Sequence, residues 1–270
     1  MEYRLLALDI DGTLTNGKKE ITPKTRQVLI EAQEKGLRLV LASGRPVPGI
    51  MPLAEQLELA KYGGFVLAFN GGVIIDCSTG KPIYQDLLDT SVYPHLYEKG
   101  NSGDFRILSY LDGHIACEDI DNEYVRYEAM LNRMPLRKLR SFLEEIDFPE
   151  PKCLIVGNPE KLVVLEQELA DYYKGRMSIY RSEPFFLEVL PPGIDKAKRL
   201  EFLLGHLGIE RSELMACGDG FNDLSMIRYA GLGIAMANAQ EVVKEAADYI
   251  TLSNEEDGVA AAVERFVTMP

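Results

Sequence analysis

The sequence predicts an α/β protein: a doubly wound, mainly parallel sheet interrupted by an inserted α+β domain. Two observations carry this. Short apolar runs alternate with longer amphipathic ones near both ends of the chain, the rhythm of strand–helix–strand units whose strands pair in parallel. The middle, from about Gln85 to Leu190, changes texture and carries a hairpin signal instead. The expected boundaries are a core from residues 1–84 and 190–270 and an insert from 85–189.

Taken in order, Tyr3–Leu8 reads as a buried strand. Pro23–Lys35 reads as a helix, with Thr22 as N-cap and Pro23 at the first position, where a missing N–H costs nothing. Gly36 stops it, and Leu37–Ala42 is the next strand. A helix follows Pro46, and Phe65–Phe69 is a third strand. In the insert, Phe105–Leu111 and His114–Glu118 flank Asp112-Gly113, a pair suited to the left-handed backbone of a tight hairpin. Cys153–Val156, Met177–Arg181 and Phe185–Val189 are further strands with helices between them, and Pro191-Pro192-Gly193 marks the return. The parallel rhythm then resumes: a helix from Lys196, strand Leu214–Cys217, helix Asn222–Tyr229 and strand Leu232–Ala235. Helix Gln240–Ala247, strand Tyr249–Leu252 and helix Gly258–Phe266 complete it.

The 270 residues carry a formal net charge of −13, which opposes a nucleic-acid backbone unless the basic groups are gathered on one face. One stretch is locally basic: Arg126, Arg133, Arg137, Lys138 and Arg140, against Glu128. It reads as a solvated helix face, with a rim attracting anionic substrates as the alternative. Cys77, Cys117, Cys153 and Cys217 show no C-x-x-C spacing, so reduced thiols in a cytoplasmic protein are expected, with neither a zinc site nor a disulfide framework. The start, Met1 to Asp9, reaches an acid too soon for a signal peptide, and no later run approaches membrane-spanning length. His95, His114 and His206 are scattered, which argues against histidine catalysis.

Three polar clusters end predicted strands: Asp9-Ile10-Asp11-Gly12-Thr13, Ser43-Gly44-Arg45, and Gly218-Asp219-Gly220-Phe221-Asn222-Asp223. In open parallel sheets the ligand crevice lies outside the carboxyl ends of the strands. Asp9 and Asp11, two apart on an extended segment, can share a side. If the three strands are neighbours, Asp9, Asp11, Asp219 and Asp223 converge. Four carboxylates cannot share a small site fully ionised without a cation or raised pKa values. Mg2+ suits such a site, because it takes hard oxygen ligands and keeps waters that a phosphate can replace. Each residue has a blander reading. Ser43 can cap a helix, Lys196 can be a surface lysine, Asn222 can be an N-cap and Asn70-Gly71-Gly72 a turn. Arg45 reads equally as a substrate contact or a structural ion pair. Gly218-x-Gly220-x-x-Asp223 lacks the third glycine of a dinucleotide fingerprint.

Together the motifs resemble the haloacid dehalogenase superfamily across the whole chain. Asp-x-Asp-Gly-Thr stands at Asp9–Thr13, a serine at Ser43, a lysine opening a helix at Lys196, and Gly-Asp-x-x-Asn-Asp at Gly218–Asp223. The large insert between the second and third motifs, with Ser43-Gly44-Arg45 and Asn70-Gly71-Gly72 ahead of it, looks like the Cof-like branch of phosphatases with an α/β cap. Ala197 departs from the glycine usual there, and alanine suits a helix. The resemblance implies that Asp9 attacks phosphorus to form an aspartyl phosphate, while Asp11 protonates the leaving alkoxide and then takes a proton from water. It implies Mg2+ on the Asp9 carboxylate, the Asp11 carbonyl and Asp219, with Asp223 either at the metal or orienting Lys196. Ser43, Lys196 and Asn222 are implied at the phosphate, with Gly44 and Asn70 on the same side. The implied activity is Mg2+-dependent hydrolysis of a small phosphorylated metabolite, sugar phosphates leading. Two rivals stay open: a phosphomutase on the same scaffold, and a phosphoacceptor signalling domain, which needs neither the large insert nor an acid two residues past the nucleophile.

Overall fold

The structure is a computed structural model and describes residues 3–267, so Met1 and Glu2 of the expected leaderless start lie outside the described residues. The chain divides into two compact units, one running to Tyr84 and resuming at Asp195, the other spanning Gln85–Ile194. The chain opens with β1 (Leu5–Leu8), α1 (Pro23–Glu34), β2 (Arg38–Ala42) and α2 (Val47–Gln56). A short α3 (Leu59–Tyr62), β3 (Phe65–Ala68), β4 (Val73–Asp76) and β5 (Lys81–Gln85) follow. The second unit begins with α4 (Tyr93–Gly100), β6 (Arg106–Leu111), β7 (His114–Cys117), α5 (Glu123–Asn132) and β8 (Leu136–Lys138). It continues through α6 (Phe142–Glu145), β9 (Cys153–Val156), α7 (Pro159–Tyr172), β10 (Ser178–Glu183) and β11 (Phe186–Leu190). The return brings α8 (Lys196–Leu207), β12 (Leu214–Gly218), α9 (Leu224–Tyr229) and β13 (Leu232–Ala235). It ends with α10 (Glu241–Ala246), β14 (Tyr249–Ile250) and α11 (Gly258–Phe266).

The sheet of the first unit runs β14-β13-β12-β1-β2-β3-β4-β5. Pairing is parallel from β14 through β3 and turns antiparallel between β3 and β4. Every residue of β1 is fully buried, as befits a central strand covered on both faces. That is why Leu5-Leu6-Ala7-Leu8 is apolar without alternation. Each buried leucine there is worth about 1.5–3 kcal/mol. The helix starts follow the capping rules. Thr22 Oγ1 accepts from the Thr25 N–H ahead of α1, and Asp195 accepts from the Lys198 N–H ahead of α8, which makes Lys196 the first residue of that helix.

The second unit holds a six-stranded sheet in the order β10-β11-β9-β6-β7-β8. All its pairs are antiparallel except β7 with β8. Period-two alternation splits its faces. Ile107, Cys153, Ile155, Leu187 and Val189 pack with Leu96, Phe142 and Leu162 from α4, α6 and α7. Leu108, Leu154, Val156 and Phe186 pack with Val125 and Ala129 of α5. Asp112 and Gly113 both have positive φ (50° and 75°), the backbone the hairpin signal required.

The doubly wound core and the α+β insert stand as the sequence predicts, with local corrections. The strands β4, β5 and β8 and the helices α3 and α4 have no counterpart in the elements the sequence predicts. The predicted helix Asn222–Tyr229 is a 3-10 turn over Phe221–Asp223 followed by α9. The basic stretch is not one helix face: Arg126 lies on α5, Arg133 caps it in left-handed backbone, and Arg137 and Lys138 lie on β8. Arg126 pairs with Asp121, and Arg137 with Asp112 and Glu145, so these charges have local partners. All four cysteines are buried and free. No helix among the described residues is long and apolar enough to cross a membrane.

Candidate active site

The chain builds β1, β2 and β3 to one side and β12, β13 and β14 to the other, so the strand order reverses between β1 and β12. At that reversal the carboxyl ends of β12, β1 and β2 lie side by side. Asp9 follows β1 directly, its N–H bonded to the Cys217 carbonyl at 3.0 Å. Ser43 follows β2, its N–H bonded to the Leu67 carbonyl at 2.9 Å. Asp219 follows β12.

Lys196 organises the centre. It is 1% exposed, and its ammonium donates to Asp9 Oδ1 at 2.7 Å, Asp223 Oδ1 at 2.6 Å and the Ala42 carbonyl at 2.9 Å. Burial works against its charge, but the Asp223 and Asp9 carboxylates outweigh that and raise its pKa. Asp223 turns its other oxygen to the N–H groups of Asp219 (3.0 Å) and Gly220 (2.9 Å), closing the loop after β12. Thr13 donates its hydroxyl to Asp219 Oδ1 at 2.7 Å. Gly12 is required beside it: its φ is +84°, and a Cβ there would lie 2.4 Å from Asp219 Oδ2.

Asp9, Asp219 and Asp223 each bring a carboxylate oxygen within 4.8 Å of the others. Three carboxylates against one ammonium leave an excess of negative charge. Burial, with Asp223 adding to it, drives the Asp9 carboxyl well above its ordinary range. Burial also pushes Asp219 up to about 6, Asp223 adding and the Thr13 hydroxyl opposing. Hard oxygen donors with surplus negative charge fit a divalent cation such as Mg2+.

Asp11 does not join this group, which corrects the expected convergence of four carboxylates. The chain leaves the strand at Asp9 and turns, with the Leu14 and Thr15 N–H groups bonded to the carbonyls of Asp9 and Ile10. The Asp11 carboxylate instead accepts from Arg45 Nε at 2.7 Å, Arg45 Nη2 at 2.6 Å and Lys19 Nζ at 2.6 Å. Burial would raise its pKa, but these partners, Arg45 foremost, hold it below the ordinary value.

The remaining predicted residues gather beside Ser43. The Ser43 hydroxyl accepts from the Arg45 N–H at 3.2 Å, and the Ser43 carbonyl from the Asn70 N–H at 2.9 Å. Asn70 takes left-handed backbone (φ 55°), and its side-chain oxygen accepts from Asn222 Nδ2 at 3.2 Å. A Cβ on Gly44 would lie 3.1 Å from the Asn70 amide, so glycine admits this contact. Sequence reasoning passed over Thr13, Lys19 and Asn238, whose amide donates to the Gly12 carbonyl at 2.8 Å. A hydroxyl directly after the glycine that approaches Asp219 was the available signal for Thr13.

A buried lysine between acids, at the strand ends of a doubly wound sheet, defines a site that can hold a cation among its carboxylates. Residues 6–263 match the family model of haloacid dehalogenase-like hydrolases. The chain is 52% identical to a solved haloacid dehalogenase-like hydrolase from Bacteroides thetaiotaomicron, with a TM-score of 0.95 over 97% of this chain and 99% of that one. It is 36% identical to YxeH of Bacillus subtilis (strain 168) over 273 residues, 98% of each chain. It is 32% identical over 272 residues to YcsE of the same organism, named a 5-amino-6-(5-phospho-D-ribitylamino)uracil phosphatase, covering 99% of this chain and 97% of that one. The chain belongs to the haloacid dehalogenase-like hydrolases and is a phosphoric monoester hydrolase.

Proposed function

We propose that the protein is a Mg2+-dependent phosphatase that hydrolyses small phosphomonoesters, sugar and polyol phosphates foremost, through an aspartyl phosphate on Asp9. The observation that carries this is the state of Asp9. One oxygen is held by the Lys196 ammonium, while Oδ2 takes no hydrogen bond among the described residues. A carboxylate fixed through one oxygen presents the other as a nucleophile. Asp11, two residues on, is the acid that protonates the leaving alkoxide and the base that then takes a proton from water. Lys196 keeps Asp9 oriented and, with the Ser43 hydroxyl and Asn222, faces the phosphoryl oxygens; Gly44 and Asn70 shape the same side. Both oxygens of Asp223 are spent on Lys196 and two N–H groups, which favours a role in orienting Lys196 over metal ligation. Asp9, Asp219 and the Asp11 carbonyl would hold the Mg2+. When bound, it supplies the charge that screens an anionic nucleophile from an anionic ester.

The phosphorylated ribityl chain in the name of YcsE supports a polyhydroxylated leaving group. The four free, buried thiols support a cytoplasmic setting. The test is a phosphate-release screen over sugar phosphates, polyol phosphates, nucleotides and flavin mononucleotide with Mg2+ present. Rapid quenching with phosphorus-labelled substrate should then leave label on the wild type and none on Asp9→Asn. Turnover without any trapped label on the protein would sink the covalent route, and an absolute need for a sugar bisphosphate would indicate a mutase.

A further inference from the structure

Arg45 is fixed at every point where its position can be fixed. Its N–H bonds to the Ser43 hydroxyl at 3.2 Å and its carbonyl accepts from the Phe69 N–H at 3.1 Å. Its Nη1 reaches the Gly49 carbonyl in the first turn of α2 at 3.3 Å. From that anchorage Nε and Nη2 grip the two oxygens of Asp11 at 2.7 and 2.6 Å. The Arg45 side chain is 13% exposed, whereas Lys19, the other partner of Asp11, is 46% exposed. A planar guanidinium making two parallel bonds fixes the plane of a carboxylate as well as its distance; a lysine ammonium fixes only distance.

A general acid must present its proton along the line to the leaving oxygen, and a misplacement of about 1 Å can cost about 100-fold. We infer that Arg45 is the positioning residue for Asp11, setting the carboxyl plane from which the proton passes to the leaving group. This rests on the reading of Asp11 as general acid and deepens it. Arg45 takes up no proton and forms no bond to the phosphoryl group. Asp11, which Arg45 and Lys19 hold ionised before substrate binds, takes up a proton from solvent as the phosphate dianion arrives. The ester P–O bond then breaks as the Asp9 bond forms, and the leaving oxygen receives that proton.

The test uses leaving-group dependence, which a merely structural residue would not move. An alkyl phosphate expels an alkoxide that needs the proton, whereas p-nitrophenyl phosphate expels a phenolate that scarcely does. Values of kcat/KM, which report steps through phosphoryl transfer, are measured for both esters with the full-length protein. Arg45→Ala should lose about 100-fold on the alkyl ester and far less on the aryl ester. Arg45→Lys should show the same split at smaller size, and it carries the test if the alanine variant fails to fold by circular dichroism. Lys19→Ala should lose less than Arg45→Ala. Equal losses on both esters in the Arg45 variants, beside a clear split in Asp11→Asn, would overturn the inference alone. If Asp11→Asn shows no split either, the reading of Asp11 falls and takes the inference with it. A larger alkyl-ester loss in Lys19→Ala than in Arg45→Ala would also overturn it.

Discussion

Asp9 and Asp11 stand two residues apart yet meet opposite surroundings. Asp9 faces one buried ammonium and two further acids, so it is short of positive charge; Asp11 faces two cations. The first environment suits a carboxylate that works beside a divalent cation; the second fixes the placement of a carboxylate and favours its ionised form. Asp9→Asn should therefore abolish turnover while the fold persists, because the amide oxygen still accepts from Lys196. Asp11→Asn should keep less than about a hundredth of the activity. Wild-type rates in an equally folded Asp9→Asn protein would remove the covalent mechanism. Thr13 makes a finer test. Its hydroxyl holds Asp219 Oδ1, and loss of such a supporting contact typically weakens a metal site by about 10–100-fold. Thr13→Val should raise the Mg2+ dissociation constant by about tenfold in a calorimetric titration; an unchanged value would leave Thr13 a structural contact only. The acids were readable from sequence because each follows directly on an apolar strand, a local signal. The grip of Arg45 on Asp11 was not, since it joins residues 34 positions apart and depends on the turn that takes Asp11 off the strand.

The segment between α6 and β9 carries an acid with no counter-charge. Glu150 is 2% exposed; its carbonyl accepts from the Leu88 N–H at 2.7 Å and its N–H donates to the Tyr93 hydroxyl at 3.1 Å. Its carboxyl takes one long contact, 3.4 Å from the Tyr110 N–H, and Oε1 has no partner among the described residues. Lys152 nearby is paired with Glu188. Burial pushes Glu150 up to about 8, the Tyr110 contact opposing weakly. A carboxyl raised on folding holds more protons in the folded than in the unfolded state, so stability falls as pH rises from the ordinary glutamate value through that range. Glu150→Gln removes the penalty. Its melting temperature should match the wild type near pH ~5 and exceed it increasingly toward pH ~8; a gap that stays constant with pH would show that Glu150 does not titrate on unfolding. At this scale the strongly patterned elements were legible and the weakly patterned ones were not. Cys153–Val156, Leu232–Ala235 and Gly258–Phe266 have the bounds their apolar patterns set. The strand β4 follows directly on Asn70-Gly71-Gly72 and ends in Asp76, so it resembles the tail of a turn. Pro82 stands within β5, and proline disfavours a strand except at edges and bulges, so the sequence carries no strand signal there. The three residues of β8 lie inside the basic stretch, where charge masked the pairing with β7.

For the molecule as a whole the unbalanced quantity is charge. A chain of net −13 places three carboxylates around a single buried lysine and must then admit a phosphate dianion. Close approach of these anions without screening is unfavourable by several kcal/mol at short range, even at the moderate effective dielectric of a partly buried site. Activity should therefore require a divalent cation, magnesium best, and vanish in excess chelator. Calcium should support little turnover, since its looser coordination lets a carboxylate bind through both oxygens and misaligns the nucleophile. Stability should carry the same signature. Without the cation, Asp219 titrates at about 6 because burial, aided by Asp223, disfavours its charge, and Asp9 is raised in the same sense. Both lie above their unfolded values, so the cation-free protein loses stability as pH rises from the ordinary aspartate range through about 6 and beyond. Mg2+ binds the ionised carboxylates and displaces those protons, so its affinity rises over the same window. The melting-temperature gain from a fixed Mg2+ concentration should thus be small near pH ~4.5 and grow to a few degrees by pH ~7. Asp219→Asn should flatten that rise, having removed one of the titrating ligands. Full activity in excess chelator would refute the cation requirement, and a melting gain independent of pH would show that Asp9 and Asp219 are not where the cation binds.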